Sequence, residues 1–329
     1  MTEAGLGMER SERLEVGQRL AVLVPCFNEE TAIARVVDDF RAALPQATVY
    51  VYDNNSTDRT AETARAAGAV VRLETHQGKG NVVRRMFSDI DADVYLLVDG
   101  DATYDAKSAP TMIARLLQDR LDMVVAARVH AEEAAYRRGH VAGNRMLTAF
   151  VETVFGSAFS DILSGYRVFS RRFVKSFPVL SRGFEIETEL TVHALELELP
   201  VAEIRTPYYP RLEGSESKLS TWRDGYRILA TILKLYRSER PLAFFSSIGI
   251  SLGAISIGLA IPIVVTFIEE GIVPRIPTAI LSTGMMLAAF VAVAVGLILD
   301  TVTRGRREMK LLAYLEQRAP GDEWNRRKD

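Results

Sequence analysis

The stretch Val94-Tyr95-Leu96-Leu97-Val98-Asp99-Gly100-Asp101 decides the fold. Five consecutive apolar residues read as a strand buried on both faces, the pattern of a parallel sheet covered by helices. The run ends in two carboxylates one residue apart, and ligands of open α/β sheets bind outside the carboxyl ends of the strands. Gly100 permits a sharp turn, so Asp99 and Asp101 can converge on one hard cation, Mg²⁺ or Mn²⁺, carried by a substrate's phosphates. An ordinary polar turn is the plainer reading of the same tripeptide, and the surrounding chain has to decide.

Toward the N-terminus, Leu20-Ala21-Val22-Leu23-Val24 is another apolar run, broken by Pro25 and followed by Cys26-Phe27-Asn28-Glu29-Glu30. Ala32 to Leu44 carries Ile33, Val36, Val37 and Phe40 at helical spacing. Thr48 to Tyr52 predicts a strand that delivers Asp53-Asn54-Asn55-Ser56-Thr57-Asp58. A helix cap at Ser56 or Thr57 explains one hydroxyl but not two acids and two asparagines. A helix over Arg59 to Ala67 and a strand over Ala69 to Leu73 follow. Gly78-Lys79-Gly80 then opens an amphipathic helix with Val82, Val83, Met86 and Phe87. Glycines at a helix start allow close approach to an anion, with Lys79 as a point charge, although the spacing matches neither the Walker loop nor the dinucleotide fingerprint.

Downstream, a helix near Pro110 to Leu117 and a strand at Met123 to Ala127 continue the alternation, which predicts a three-layer α/β domain. Arg128, Arg137, Arg138 and Arg145 flank an apolar helix through Met146 and Phe155. Asp161 to Phe169 combines an acid, a glycine turn and Arg167 leading into a strand. Glu185, Glu187 and Glu189 begin a helix ending near Leu197, where acids suit the dipole and one of them could serve chemistry. After a strand at Leu199 to Ile204, the polar loop Tyr208 to Thr221 holds Arg211 and Lys218. Trp222 to Leu235 reads as an amphipathic interfacial helix.

The 329 residues carry 40 basic and 42 acidic side chains, a net charge of -2 that gives no support for nucleic-acid binding. The lone Cys26 excludes an internal disulfide and fits a reducing compartment. His76, His130, His140 and His193 lie at no metal-ligand spacing. Residues Met1 to Gln18 have no apolar core of signal-peptide length, so the first domain is expected in the cytoplasm. The apolar share of 48% is concentrated in Leu242 to Phe267 and Ile276 to Leu299. At about 1.5 Å per residue each exceeds the roughly 30 Å hydrocarbon core of a bilayer. Lys234, Arg237 and Arg240 precede the first span, and Arg304, Arg306, Arg307 and Lys310 follow the second. The positive-inside bias therefore predicts a hairpin with both termini in the cytoplasm. The expected organisation is a polar extension over 1–18, a catalytic domain over 19–221, a juxtamembrane helix over 222–241, a membrane hairpin over 242–300 and a cytoplasmic segment over 301–329.

Five pieces in this order carry a resemblance: Val24-Pro25-Cys26-Phe27-Asn28-Glu29, Asp53-Asn54-Asn55-Ser56-Thr57-Asp58, Gly78-Lys79-Gly80, Asp99-Gly100-Asp101 and Ser217-Lys218-Leu219. Over Leu20 to Leu235 the chain resembles a family 2 glycosyltransferase of the GT-A fold, in the branch of polyprenyl-phosphate and dolichol-phosphate sugar synthases. The hairpin resembles the appendage of bacterial polyprenyl-phosphate glucosyltransferases. The resemblance implies a mostly parallel mixed sheet and a nucleotide pocket lined by Pro25, Asn28 and Glu29. It implies that Asp53 accepts hydrogen bonds from the base, with Asn55 beside it, and that Asp58 and Lys79 help hold the nucleotide. Asp99 would contact the nucleotide sugar or metal-bound water, and Asp101 would ligate Mg²⁺ or Mn²⁺ directly. Asn54 stands where a second acid is usual, Asn55 where glycine is frequent, and Ala102-Thr103 where leucine and glutamine often follow, a departure that weakens a mannose donor.

The reaction so implied is inverting transfer of a hexose from a UDP-glucose or GDP-mannose type donor to a membrane polyprenyl phosphate. An acceptor that is already anionic needs no strong base. It needs cations that bring two anions together, for which Arg128, Arg138, Arg211 and Lys218 are candidates, surface solvation being the plainer reading of each arginine alone. The implied partners are the nucleotide sugar, the prenyl phosphate, the bilayer, and a second copy through the apolar helices. A processive polysaccharide synthase is an alternative, but Ser220-Thr221-Trp222-Arg223 does not supply its Gln-x-x-Arg-Trp motif. A noncatalytic membrane scaffold is another, and the presence of both Asp99 and Asp101 argues against it.

Overall fold

Alternating apolar runs and amphipathic helices build one sheet covered on both faces. The computed structural model describes residues 18–130, 159–183, 185–211, 233–234 and 236–320. Arg138, the helix expected through Met146, the Lys218 loop and nearly all of the Trp222 to Leu235 helix lie outside the described residues. The chain forms two compact units, the first comprising Met1–Tyr226 with Lys310–Asp329 and the second Arg227–Met309.

In the first unit, β1 (Leu20–Cys26) is buried along its whole length. It lies between β2 (Thr48–Asp53) and β4 (Val94–Leu97), with β3 (Val70–Leu73) outside β2, all parallel. The seven-stranded order is β3-β2-β1-β4-β6-β5-β7. β6 (Arg167–Ser170) runs antiparallel between β4 and β5 (Met123–His130), while β7 (Val201–Tyr208) pairs parallel with β5. From β1 the chain winds out to β2 and β3 and then crosses back to β4 on the other side. That reversal is the switch point where α/β sheets open a ligand crevice.

The even-numbered residues Leu20, Val22, Val24 and Cys26 pack with α1 (Ile33–Ala43) and α4 (Ala109–Gln118), through Ile33, Val36, Phe40, Met112, Ile113 and Leu116. Near the second face, Phe87 of α3 (Lys79–Asp89) meets Tyr95, Phe169 and Phe177 edge to face, and Phe169 stacks on Phe173 at 4.7 Å. Each such aromatic contributes roughly 1.5–3 kcal/mol by burial alone. The short α2 (Thr60–Ala66) links β2 to β3, and α5 (Arg171–Ser176) is capped by Ser170, whose hydroxyl accepts from the Phe173 N–H at 3.1 Å. In α6 (Ile186–Glu196) polar residues are buried along with apolar ones, including Glu187, Thr191, His193 and Glu196.

The second unit is an antiparallel pair, α7 (Pro241–Glu270) and α8 (Ile276–Leu315), of 30 and 40 residues. Both are long and apolar enough to cross a membrane. Gly249, Ser256 and Ile263 on one helix and Ser282, Ala289 and Gly296 on the other are buried at intervals of seven, the repeat that gives left-handed packing. Small side chains allow the approach: a Cβ on Gly249 would lie 2.8 Å from Val293 Cγ2, and Ser256 Oγ donates to the Ser282 carbonyl at 2.6 Å. Ile250, Ile261, Ile280, Phe290 and Leu297 face outward. α8 continues past the expected span to Leu315. Its last turns belong to the first unit, where Lys310 pairs with Glu196 at 2.6 Å and Tyr314 donates to the buried Asp122 at 2.8 Å.

Candidate active site

The loops after β1, β2 and β4 meet at the switch point, and each contains a non-glycine residue with positive φ: Asn28 at 53°, Asn55 at 62° and Ala102 at 57°. Asparagine tolerates that conformation, but alanine pays roughly 1–2 kcal/mol for it, a strain that clusters at functional loops.

After β1 and β2 the polar side chains hold one another. Asn28 accepts from the Thr57 N–H at 2.8 Å, and its own N–H donates to Ser56 Oγ at 2.9 Å. Asn54 donates to the carbonyls of Glu74 and His76, both at 2.9 Å, and accepts from the Gly78 N–H at 2.7 Å. That bracket needs a donor and an acceptor in one side chain, which is why an amide stands where a second acid would fail. Asn55 donates to the Thr75 carbonyl at 2.6 Å. Glu29 is buried and its N–H donates to the Thr60 hydroxyl at 2.9 Å, while Pro25 sits within β1 opposite Tyr52. Asp58 accepts from Thr60 and from the Glu30 N–H. Burial pushes its carboxyl up, but those hydrogen bonds outweigh burial and hold it below the usual range. Asp53 differs. Its Oδ2 accepts from Ser56 N–H at 3.3 Å, whereas its buried Oδ1 has no hydrogen-bond partner among the described residues.

After β4 the site is built from charge. Asp101 is 4% exposed; its Oδ1 accepts the Thr103 hydroxyl at 2.6 Å and its Oδ2 pairs with Arg211 at 2.7 Å. Burial and then the neighbouring Asp99 raise its pKa, opposed by Arg211 and Thr103. Gly100 is required because a Cβ there would sit 2.6 Å from Cys26 Sγ. Asp99 is held by Lys79 Nζ at 2.5 Å, and the same ammonium pairs with Glu187. Burial works against the Lys79 charge, but the two carboxylates outweigh it and raise its pKa well above the usual lysine range. The glycines beside Lys79 make room for protein backbone: a Cβ on Gly78 would lie 2.1 Å from the Arg182 carbonyl oxygen and one on Gly80 2.3 Å from that of Ser181. The Gly80 N–H donates to Arg182 O at 3.1 Å, so this helix start faces chain 178–183.

The sequence singled out Glu185, Glu187 and Glu189 without separating them. Glu189 accepts from the N–H groups of Leu180 and Ser181, both at 2.8 Å, whereas Glu187 is buried against Lys79 with its pKa raised by that burial. Glu187 is thus the member of the trio that joins the site. Arg128 forms a two-pronged pair with Asp161 at 2.6 and 2.8 Å and lies over the Tyr208 ring at 5.5 Å. Of the cations the sequence offered for the acceptor, Arg211 is seen among the described residues paired with Asp101; Arg138 and Lys218 fall outside the described residues.

Among the described residues no three His, Cys, Asp or Glu side chains converge as a metal cage. The carboxylates offered at this strand end are the two aspartates. They fit a hard cation arriving on a diphosphate, because such ions take one or two carboxylates and complete their shell with phosphate oxygens and water.

Comparison with known proteins places these features in a family. The glycosyl transferase family 2 profile matches residues 21–177. Glycosyltransferase AglJ from Haloferax volcanii is 34% identical over 300 residues, covering 90% of this chain and 98% of that protein. A dolichyl-phosphate hexose transferase of the same organism is 28% identical over 221 residues, 67% of this chain and 95% of that one. The crystal structure of glucosyl-3-phosphoglycerate synthase from Mycobacterium tuberculosis, with Mn²⁺, UDP-glucose and phosphoglyceric acid, matches with a TM-score of 0.56 at 22% identity over 66% of this chain and 79% of that one, a likeness of fold.

Proposed function

We propose a reaction for this chain, which belongs to glycosyl transferase family 2: metal-dependent, inverting transfer of a hexose from a UDP- or GDP-sugar to a membrane polyprenyl phosphate. The observation that carries the donor side is the pairing of an unsatisfied, buried acceptor, Asp53 Oδ1, with the Asp99–Asp101 acid pair. β2 and β4 flank β1, so the two groups are separated by two strand spacings, about 10 Å. That is the scale of a nucleotide lying across the crevice with its base at one end and its diphosphate at the other. An unpaired buried acceptor costs about 1–3 kcal/mol, which a ring N–H of uracil or guanine would recover.

Asp101, with Asp99, would hold Mg²⁺ or Mn²⁺, which when bound offsets charge developing on the leaving diphosphate. Arg211 pairs with Asp101 and would supply positive charge where the anionic acceptor must approach; Lys218 and Arg138 are proposed for the same task. An oxygen of the lipid phosphate attacks the anomeric carbon as the bond to the diphosphate breaks, inverting that centre. Arg128, a further candidate for the task given to Arg211, is held by Asp161 with its guanidinium over the Tyr208 ring. The lipid acceptor is supported by α7 and α8, which would form a hairpin in the cytoplasmic membrane with both termini inside, and by the dolichyl-phosphate transferase among the relatives. Contact between hairpins would supply any self-association.

The test is a panel of labelled UDP- and GDP-hexoses offered to the purified full chain with a short-chain prenyl phosphate. One donor should give a lipid-linked product that disappears on chelation of divalent ions. Transfer to phosphoglycerate alone, or none to prenyl phosphate with any donor, would contradict the proposal.

A further inference from the structure

Three features around Asp99 come from parts of the chain far apart in sequence. On one side Lys79 donates to Asp99 Oδ1 and to Glu187. On the other, Gly165 lies so close that a Cβ there would be 2.4 Å from Asp99 Oδ2. Gly165 is fixed in turn, since its N–H donates to the hydroxyl of the buried Tyr104 at 2.9 Å. The two sides are joined by Arg167, which is fully buried. Its guanidinium donates to the carbonyls of Ser164 at 2.9 Å and Ile162 at 2.5 Å and to Thr191 Oγ1 at 2.9 Å, and that hydroxyl donates to the Glu187 carbonyl at 3.0 Å. One buried arginine thus ties the loop carrying Gly165 to the helix carrying Glu187.

A lysine with 9% side-chain exposure and a glutamate with 6% are costly to bury. Aspartate alone would balance the lysine. A second buried carboxylate adds desolvation cost without being needed for neutrality, so its geometric effect is what distinguishes it: Lys79 cannot swing away from Asp99 without leaving Glu187 unpaired in the interior. With Gly165 close to the other oxygen, both carboxylate oxygens of Asp99 have a near neighbour within the protein.

We propose that Glu187, through Lys79, is a positioning residue that fixes the Asp99 carboxylate for the metal-bearing donor, with Gly165 as the opposing wall. This rests on the reading of Asp99 and Asp101 as the acid pair that receives the metal and diphosphate. Glu187 itself touches neither. The arrangement also accounts for the two glycines around Lys79, which let the chain before α6 approach closely enough for Glu187 to reach the ammonium.

The experiment is a double-mutant cycle on the full chain with Glu187→Gln, Asp99→Asn and the pair, read by Mn²⁺ titration in the presence of a nucleoside diphosphate using electron paramagnetic resonance and by kcat of hexose transfer. Glu187→Gln keeps shape and removes charge. Each single variant should weaken Mn²⁺ binding at least about threefold and lower kcat about tenfold, and the double variant should be no worse than Asp99→Asn, because Glu187 acts through Asp99. Additive losses, or a Glu187→Gln protein that binds Mn²⁺ like the original, would overturn the proposal. Gly165→Ala, which presses on Asp99 from the other side, gives a second route should Glu187→Gln fold poorly: it should weaken Mn²⁺ binding by a similar factor, and unchanged binding would count against the proposal. Mn²⁺ binding that follows this cycle in a protein that transfers no hexose to prenyl phosphate would sink the proposed acceptor while supporting the positioning role; a protein that binds no Mn²⁺ at all would sink both.

Discussion

The carboxyl ends of β2 and β4 face the same crevice but are built in opposite ways. After β2, asparagines, serine, threonine and Asp58 close their hydrogen bonds within the protein, and Asp53 Oδ1 has no partner among the described residues. After β4, Asp99, Asp101, Glu187, Lys79 and Arg211 are held by ion pairs in surroundings that penalise charge. A closed hydrogen-bond scaffold recognises a shape and need not change during a reaction. A cluster of buried charge responds strongly to any ion or phosphate brought to it, because low surrounding polarity magnifies each interaction. This contrast supports the proposal that the β2 end recognises the base and the β4 end handles the transferring group.

The sharpest way to break this division is Asp101→Asn. Transfer should fall at least about 100-fold, roughly 2.7 kcal/mol of transition-state stabilisation, while the melting temperature holds or rises because a desolvated charge is gone. Rates within threefold of the original would remove Asp101 from the chemistry. Asp53→Asn should act on binding instead, weakening nucleotide affinity about tenfold with a smaller change in kcat at saturating donor; calorimetric titration with UDP and GDP checks it. A dominant loss in kcat would merge the two ends.

Away from the crevice, His193 offers a control on stability. Burial first, and Lys310 second, lower its pKa to about 3, and its Nε2 lies 3.2 Å from Ser176 Oγ. The unfolded chain protonates near 6.5, so between about 6.5 and 3 the unfolded state binds more protons and stability falls as pH falls, by up to roughly 1.4 kcal/mol per pH unit. Lys310 and Glu196 are the charged groups close by, and they pair with each other. Thermal melts of His193→Gln across that range should show a flatter pH slope than the original; an unchanged slope would remove His193 as its source. The smallest effect belongs to the β2 scaffold. Asp58→Ala should cost about 1 kcal/mol by freeing the start of α2, a contribution complete above the unfolded carboxylate pKa and lost as pH falls through the lowered folded value. Urea melts from pH 7 downward should show the difference between the two proteins shrinking as pH falls below the usual carboxylate range; a difference that does not change with pH would remove the Asp58 charge as its source.

Much of this was legible in the chain. Every strand from β1 to β5 and every helix from α1 to α4 follows from runs of apolar residues and the 3.6 period, with ends displaced by only a few residues. The parallel pairing of β1 to β4 was legible in their continuous apolar runs, but the reversal of β6 was not, because it shows only against β4 and β5. Asp53, Asp99 and Asp101 stood out as acids at strand ends. Glu187 did not, since acids beginning a helix have a sufficient reason in the dipole. Gly78-Lys79-Gly80 resembled an anion loop because its true neighbours, Ser181, Arg182 and Glu187, lie about a hundred positions later. The pairing of Arg128 with Asp161 was hidden for the same reason, its partner lying beyond an intervening segment. The reach of α8 to Leu315 was hidden because charge ends a membrane span without ending a helix.

The division between the two ends is tested most directly by nucleotide affinity measured with and without Mn²⁺ in the original protein, Asp53→Asn and Asp101→Asn. Mn²⁺ should tighten binding at least about tenfold in the original and by a similar factor in Asp53→Asn, whose affinity is lower throughout, and should have almost no effect in Asp101→Asn. Full tightening by Mn²⁺ in Asp101→Asn, or its loss in Asp53→Asn, would contradict the account.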